Sequence, residues 1–260
     1  MIVVSCVYLL SHQRASSGIG KGLAVHLAPY KPKLVLAARG TTGLEATSKQ
    51  CQDAGLAADS ILTLQCDVSK DDNLENLVET TIKTFDSIYG LVNNAGYGLV
   101  GNIEQTDMKD YDGMMRVNLR APFYLSKLCI PHLKTSKGCV INMSSIASKM
   151  GIDYAAPYCL TKAGLDHFTH LFAAEIGPSG VRVNSVNPGH IRTGIQQRAG
   201  LSENKIMEIE AGHLKGTPLG RVGEIEDVVK LVKFLLSDEA SYITGETICV
   251  DGGRVNPVFS

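Results

Sequence analysis

Short apolar runs that leave no polar face recur along this chain between stretches of helical periodicity, and this alternation constrains the fold more than any other feature. The runs fall at residues 2–10, 33–38, 61–65, 90–92, 139–143, 182–186 and 247–250, and the helical stretches include 21–28, 74–85, 111–129, 158–176 and 225–236. A strand with one wet face alternates apolar and polar side chains, whereas LVLAA at 34–38 is apolar throughout and needs cover on both faces. Parallel strands joined by right-handed helical crossovers provide that cover. The expected architecture is an α/β fold, a doubly wound parallel sheet of Rossmann type.

No linker, repeat or low-complexity run interrupts the alternation, so residues 1–260 read as a single domain. The longest departure is the segment from about 192 to 221, where GTPLGRVG closes a helix-like stretch at 203–214. An insertion after a late strand of such a sheet lies near its carboxyl edge, where ligands bind, so the segment is a candidate substrate loop; a plain surface helix pair is the other reading.

A formal net charge of -1 gives no broad basic footprint for nucleic acid or an anionic membrane, and a small-molecule partner is expected instead. The 7 cysteines are scattered without a CxxC pair, which points to reduced thiols in the cytoplasm rather than to a zinc site or redox dithiol, and no metal is expected. The apolar start MIVVSCVYLL lacks a basic leader and is far shorter than the roughly 20 residues that span a bilayer; it reads as a strand.

After that strand, ASSGIGKG opens a helix. Gly18 and Gly20 let the backbone approach a pyrophosphate, and the free amides of the helix start meet its charge, although the bare string also suits a tight strand-to-helix connection. The second strand ends LVLAARG. Where an NAD site places a carboxylate for the ribose hydroxyl, Ala37 and Ala38 supply none, and Arg39 supplies a guanidinium suited to a 2'-phosphate. NADP is favoured over NAD.

Taken together, several motifs resemble the short-chain dehydrogenase/reductase family across nearly the whole chain. They are ASSGIG at 15–20, CDV at 66–68, NNAG at 93–96, Asn118 within VNL, NMSS at 142–145, YCLTK at 158–162, NPGHIRT at 187–193 and VDGG at 250–253. The pattern also resembles the family's ketoacyl-carrier-protein-reductase-like members. The resemblance implies an NADP-dependent oxidoreductase acting on a carbonyl or secondary alcohol, with Asn118, Ser145, Tyr158 and Lys162 as its catalytic tetrad. It also implies that Ser17, Gly18, Ile19 and Gly20 hold the pyrophosphate. Asp67 would bind the adenine amino group, Asn94 would line the cofactor channel, NNAG would stabilise the central sheet, and Ile191 and Thr193 would hold the nicotinamide carboxamide. Lys162 would bond the nicotinamide ribose, and Asn118 would hold a water linking Lys162 to solvent. Homotetramers or dimers built on the helices around Asn118 and Tyr158 are implied as well.

The pair makes chemical sense by itself. Tyr158 and Lys162 are four residues apart, hence on one helix face, and a nearby ammonium is expected to lower the phenol's pKa toward the range of a working acid or base. Ser145, rather than Ser144, is preferred as the hydrogen-bond donor to a substrate oxygen because it stands at the family's distance from Tyr158. Read alone, YxxxK is usually a surface pair, Asn118 could be a helix-bending polar residue, and His190 carries no assigned role. Tyr97, Met150, Ile152, Tyr154 and the segment after Thr193 are expected to shape a mixed apolar pocket.

One position departs from the pattern. Gln13 and Arg14 stand where the family's loop has Thr-Gly, and a side chain at a tight turn out of a strand costs about 1–3 kcal/mol where the angles are unfavourable. The departure allows a functional enzyme with an altered loop, or an aberrant N-terminal sequence on an otherwise intact enzyme body with weakened cofactor affinity; a catalytically weakened or inactive binding protein that kept the fold is the alternative of a different class.

Overall fold

Seven parallel strands form the main sheet: β1 (Ile2–Ser5), β2 (Leu34–Ala38), β3 (Ile61–Gln65), β4 (Gly90–Asn93), β5 (Cys139–Met143), β6 (Arg182–Pro188) and β7 (Thr247–Val250). Their order is β7-β6-β5-β4-β1-β2-β3. The structure is a computed structural model and describes residues 2–5, 8–9, 18–99, 101–152, 154–193 and 202–255.

The unbroken apolar runs are explained by cover on two sides. Within β2, Leu34, Leu36 and Ala38 pack into one core and Val35 and Ala37 into the other, as the two-residue period of a strand requires. Helices α1 (Ile19–Leu27), α2 (Thr41–Asp53) and a late helix at Ile225–Leu236 cover the first face. The second face is covered by α3 (Asp71–Phe85), a long helix made of α4 (Met108–Met115) and α5 (Ala121–Ser136), and α6 (Ala156–Ile176). A π turn, Arg116–Arg120, joins α4 to α5 without a break. Helix α7 (Glu203–Leu214) precedes the late helix, which is therefore α8.

This order places β1 between β2 and β4. The chain leaves β1 in one direction through α1 and returns past it through α3, so a crevice opens at the carboxyl ends of β1 and β4, where doubly wound folds bind ligands.

Two local expectations are corrected, and one helix was not anticipated. β1 pairs in the main sheet only over Ile2–Ser5, while Tyr8–Leu9 runs parallel to Gly96–Tyr97, so the chain makes a second pairing before α1 instead of continuing one strand to Leu10. The helix expected at 111–129 is the longer α4–π–α5 unit. Helix α2 gave no clear periodic signal because only Gly43, Leu44, Thr47 and Cys51 of its thirteen residues are buried. Among the described residues, no helix is long and apolar enough to cross a membrane, and no cluster of three or more His, Cys, Asp or Glu could hold a metal ion.

Candidate active site

The carboxyl ends of three strands and one helix face converge on a cleft of about 450 Å³. β4 leads into Asn94, β5 into Ser144 and Ser145, β6 into the turn that carries Ile191 and Thr193, and α6 presents Tyr158 and Lys162; all of these border the cleft. Ile19, at the start of α1, borders it too, as do Tyr97 and Tyr154. Met150 and Ile152 are not among its lining residues, and residues 194–201 lie outside the described ones.

Lys162 is almost completely buried, and its Nζ donates to the Met143 carbonyl at 2.8 Å. It lies 5.6 Å from the centre of the Tyr158 ring. Burial pulls the ammonium down from its usual 10.5 to about 8, opposed by the Asp166 carboxylate. The expected lowering of the Tyr158 phenol by Lys162 is not what this geometry gives. Burial dominates and raises the phenol's pKa, with only the Ser145 hydroxyl working against it. The Ser145 hydroxyl also accepts from the Ala147 amide at 3.2 Å, whereas Ser144 is turned inward and donates to the Lys162 carbonyl at 3.2 Å. That difference separates the two serines: Ser145 faces Tyr158 and Ser144 ties β5 to α6.

Asn118 does not border the cleft. It sits fully buried in the π turn, where its side chain accepts from the Tyr97 amide at 2.9 Å and donates to the Tyr97 carbonyl at 2.7 Å and to Thr161 Oγ1 at 3.1 Å. These bonds bracket the loop after β4 against α6, a scaffolding arrangement. Two glycines of that loop shape the site: Gly96, the last residue of NNAG, and Gly98, which no motif had singled out. A Cβ on Gly96 would come to 3.3 Å from both Asn118 Oδ1 and Lys162 Nζ, and one on Gly98 to 3.2 Å from the Tyr158 ring. The AGYG string was the available signal, since close backbone approach is what glycine permits.

Upstream of the pair, Asn93 donates across the sheet to Asn142 Oδ1 at 2.8 Å and to Ser126 at 3.1 Å, and Asn142 donates on to Thr169 at 2.9 Å, which ties β4 and β5 to α5 and α6. Sequence reasoning also missed Asp166. It is buried one turn beyond Lys162 and accepts from Ser185 Oγ at 3.0 Å and Asn187 Nδ2 at 2.7 Å. The i, i+4 spacing of Tyr158, Lys162 and Asp166 could have found it.

The residues expected to hold a dinucleotide fit one. Gly18 precedes α1 at φ 93°, a conformation that favours glycine, and among the described residues no side chain caps the helix, which suits the amides of its first turn to an anion. Gly20 is buried within that turn. Among the described residues, Arg39 Nε and both polar side-chain atoms of Asn94 are buried without a partner, and such atoms are costly unless a ligand satisfies them. Asp67 accepts from the Ser69 amide at 3.0 Å and the Ser69 hydroxyl at 2.8 Å through a single oxygen, leaving its other one unused by these bonds. Gly18 and Thr193 border a second cavity of about 390 Å³. Ser17, Gln13 and Arg14 lie outside the described residues.

His190, given no role from sequence, stacks on His213 of α7 at 4.1 Å between ring centres, and burial with the neighbouring His213 charge holds it down at about 4. Arg192 reaches the same helix, donating to Glu210 at 3.0 and 2.8 Å. A larger cavity of about 530 Å³ lies behind His190 and is bordered by none of the tetrad.

A buried tyrosine-lysine pair at the carboxyl edge of a doubly wound sheet, beside unpartnered groups suited to a dinucleotide, defines a nicotinamide-dependent oxidoreductase. The family model described as Enoyl-(Acyl carrier protein) reductase matches residues 14–254. A tropinone reductase homolog of Arabidopsis thaliana is 36% identical over 94% of this chain and 88% of its own length. The cyclohexanol dehydrogenase of an Acinetobacter species is 32% identical over 92% of this chain and 91% of its own. The crystal structure of levodione reductase superposes with a TM-score of 0.87 at 29% identity, covering 99% of this chain and 98% of that one. The chain belongs to the short-chain dehydrogenase/reductase family.

Proposed function

We propose that this protein is an NADP-dependent oxidoreductase that interconverts a ketone and a secondary alcohol, with Tyr158 as the proton-transfer group. The convergence of Ser145, Tyr158 and Lys162 on one cleft carries this reading. The nicotinamide, when bound, supplies or accepts the hydride. Tyr158 Oη gives its proton to the substrate oxygen in reduction and takes it back in oxidation. Because burial opposes the phenolate, the Lys162 ammonium beside the ring is needed to stabilise it. Ser145 donates to the same substrate oxygen and stabilises its developing charge. The curated relatives support a small alcohol or carbonyl substrate, and the segment from about 192 to 221 serves as the substrate loop of the single domain.

Arg39, with its unpartnered Nε, supports NADP over NAD. Arg39→Ala is expected to weaken NADPH binding on the order of tenfold to a hundredfold, read by the cofactor's fluorescence, and to leave NADH binding nearly unchanged. An equal loss for both cofactors would remove the 2'-phosphate role. The same titration tests a second reading, a catalytically weakened binding protein, which the extra pairing of Tyr8–Leu9 between β1 and α1 favours. Millimolar NADPH binding that Arg14→Gly tightens would support that reading.

Phe123, Leu160 and Leu171 are each more than half exposed on α5 and α6, and Phe123 contacts Phe168 ring to ring. Such a face supports a homo-oligomer, tetramer or dimer. Light scattering at micromolar concentration is expected to give a multiple of 27.9 kDa, and a monomer would overturn the assignment. The described cysteines are free and carry no CxxC pair, a pattern in keeping with a reducing, cytoplasmic setting.

A further inference from the structure

We propose that Asp166 is a positioning residue of this site: its carboxylate is the electrostatic partner of Lys162 and, through Asn187, the anchor of the strand end that presents Ser145. The inference rests on the catalytic reading of Tyr158 and Lys162 and goes beyond it, because Asp166 touches neither substrate nor cofactor.

The geometry is a closed chain of bonds behind the cleft. Asp166 accepts from Ser185 at 3.0 Å and from Asn187 at 2.7 Å, both on β6. Asn187 in turn donates to the Ser145 carbonyl at 3.2 Å and to Ser148 Oγ at 2.9 Å. Ser185 lies within reach of the Asn142 carbonyl at 3.2 Å, so β5 and β6 are both fixed against α6 one turn beyond Lys162. A carboxylate buried to this degree is retained at a desolvation penalty, and two neutral donors offset it only in part. A nearby cation is the missing compensation, and Lys162, buried on the same helix face, is the cation at hand.

Few other groups compete for this role. Around Lys162, α6 contributes Tyr158 and Asp166, β5 contributes the Met143 carbonyl, and the loop after β4 and the π turn contribute the backbone of Gly96 and the neutral Asn118. Facing Asp166 from β7 is Cys249, whose thiol the carboxylate helps push up, with Lys149 near that thiol. Among the described residues, Asp166 is the one charged group that acts on Lys162 against the effect of burial.

Asp166→Asn keeps the shape and can keep both hydrogen bonds, since its oxygen can accept from Asn187 while its amide donates to Ser185. The charge alone is removed. In protein carrying ¹³Cε-lysine, the Lys162 resonance is expected to titrate with an acid dissociation constant about tenfold larger in Asp166→Asn than in the parent. The alkaline limb of the turnover profile moves to lower pH by the same factor, because the ammonium is lost sooner. A Lys162 titration within twofold of the parent would reduce Asp166 to a structural tie and overturn the proposal. If the variant does not fold, the parent alone decides: the Asp166 carboxyl carbon resonance must shift at the Lys162 midpoint, and a flat response there refutes the pairing. Both resonances are read without turnover, so a parent inactive on every carbonyl would sink the catalytic reading and leave this test standing.

Discussion

Tyr158→Phe is expected to lose on the order of a thousandfold or more in turnover while binding NADPH as tightly as the parent. The substitution deletes one oxygen and keeps the ring that packs against Gly98, so the cleft retains its shape. What disappears is the proton carried to the substrate oxygen, and positioned acid-base groups contribute about a hundredfold to ten thousandfold. Burial already places the phenol in an environment hostile to charge, so no water-borne acid replaces it cheaply. Turnover over a broad carbonyl panel, with NADPH affinity measured in parallel, checks the prediction. Parent-like turnover would show that the proton travels by another route.

Lys162→Met is expected to cost activity heavily while leaving stability close to the parent's. Holding an ammonium at about 8 rather than 10.5 corresponds to about 3 kcal/mol at neutral pH, which the Met143 carbonyl bond and the site's other contacts must offset. Methionine fills similar volume without that penalty, though it leaves the carbonyl without its donor at about 1–2 kcal/mol. Removing the cation also leaves the buried Asp166 carboxylate without its partner, so the net expectation is a protein within about 2 kcal/mol of the parent in either direction. Turnover falls on the order of a hundredfold or more, since the phenolate formed at Tyr158 loses its counter-charge. The pH dependence gives a second reading. Because the folded pKa is depressed, the unfolded chain binds more protons between about pH 8 and 10.5, so the parent gains stability as pH rises through that window. The Met variant lacks this contribution. Chemical denaturation at pH 7 and pH 10 measures both effects, and a variant several kcal/mol less stable at pH 7 would show that Lys162 is a net structural asset.

Much of this was legible in the sequence because it depends on periodicity. The boundaries of β3, β5 and β7 follow from apolar runs and α6 from its spacing, whereas Tyr158, Lys162 and Ser145 stand out only through the resemblance of their motifs to a known family. What escaped depends on facts that no linear pattern carries. The direction of the Tyr158 pKa is set by three-dimensional burial, which outweighs the charge that spacing suggested. Asn118 could be assigned to the site but not to its bonds with Tyr97 and Thr161, because those require the π turn. The closure of His190 on His213 joins segments whose meeting depends on how α7 folds back, and a lone histidine after Pro-Gly gives no hint of it.

The π turn at Arg116–Arg120 divides one long helix into two phases. A residue advances an α-helix by about 100°, and the extra residue held within a π turn rotates the rest of the helix by about that angle. Upstream of the offset, the phase suits the loop that Asn118 brackets. Downstream, it turns Leu125 and Cys129 into the core they share with Leu74 and Leu77 of α3. Shortening the turn by one residue would preserve every functional group in the protein and still force a choice, either Asn118 swinging off Tyr97 or α5 rotating its apolar stripe out of the core. Catalytic scaffold and hydrophobic core are thus set by a single angular register, and chain length at this point is as much a determinant of the site as side-chain chemistry.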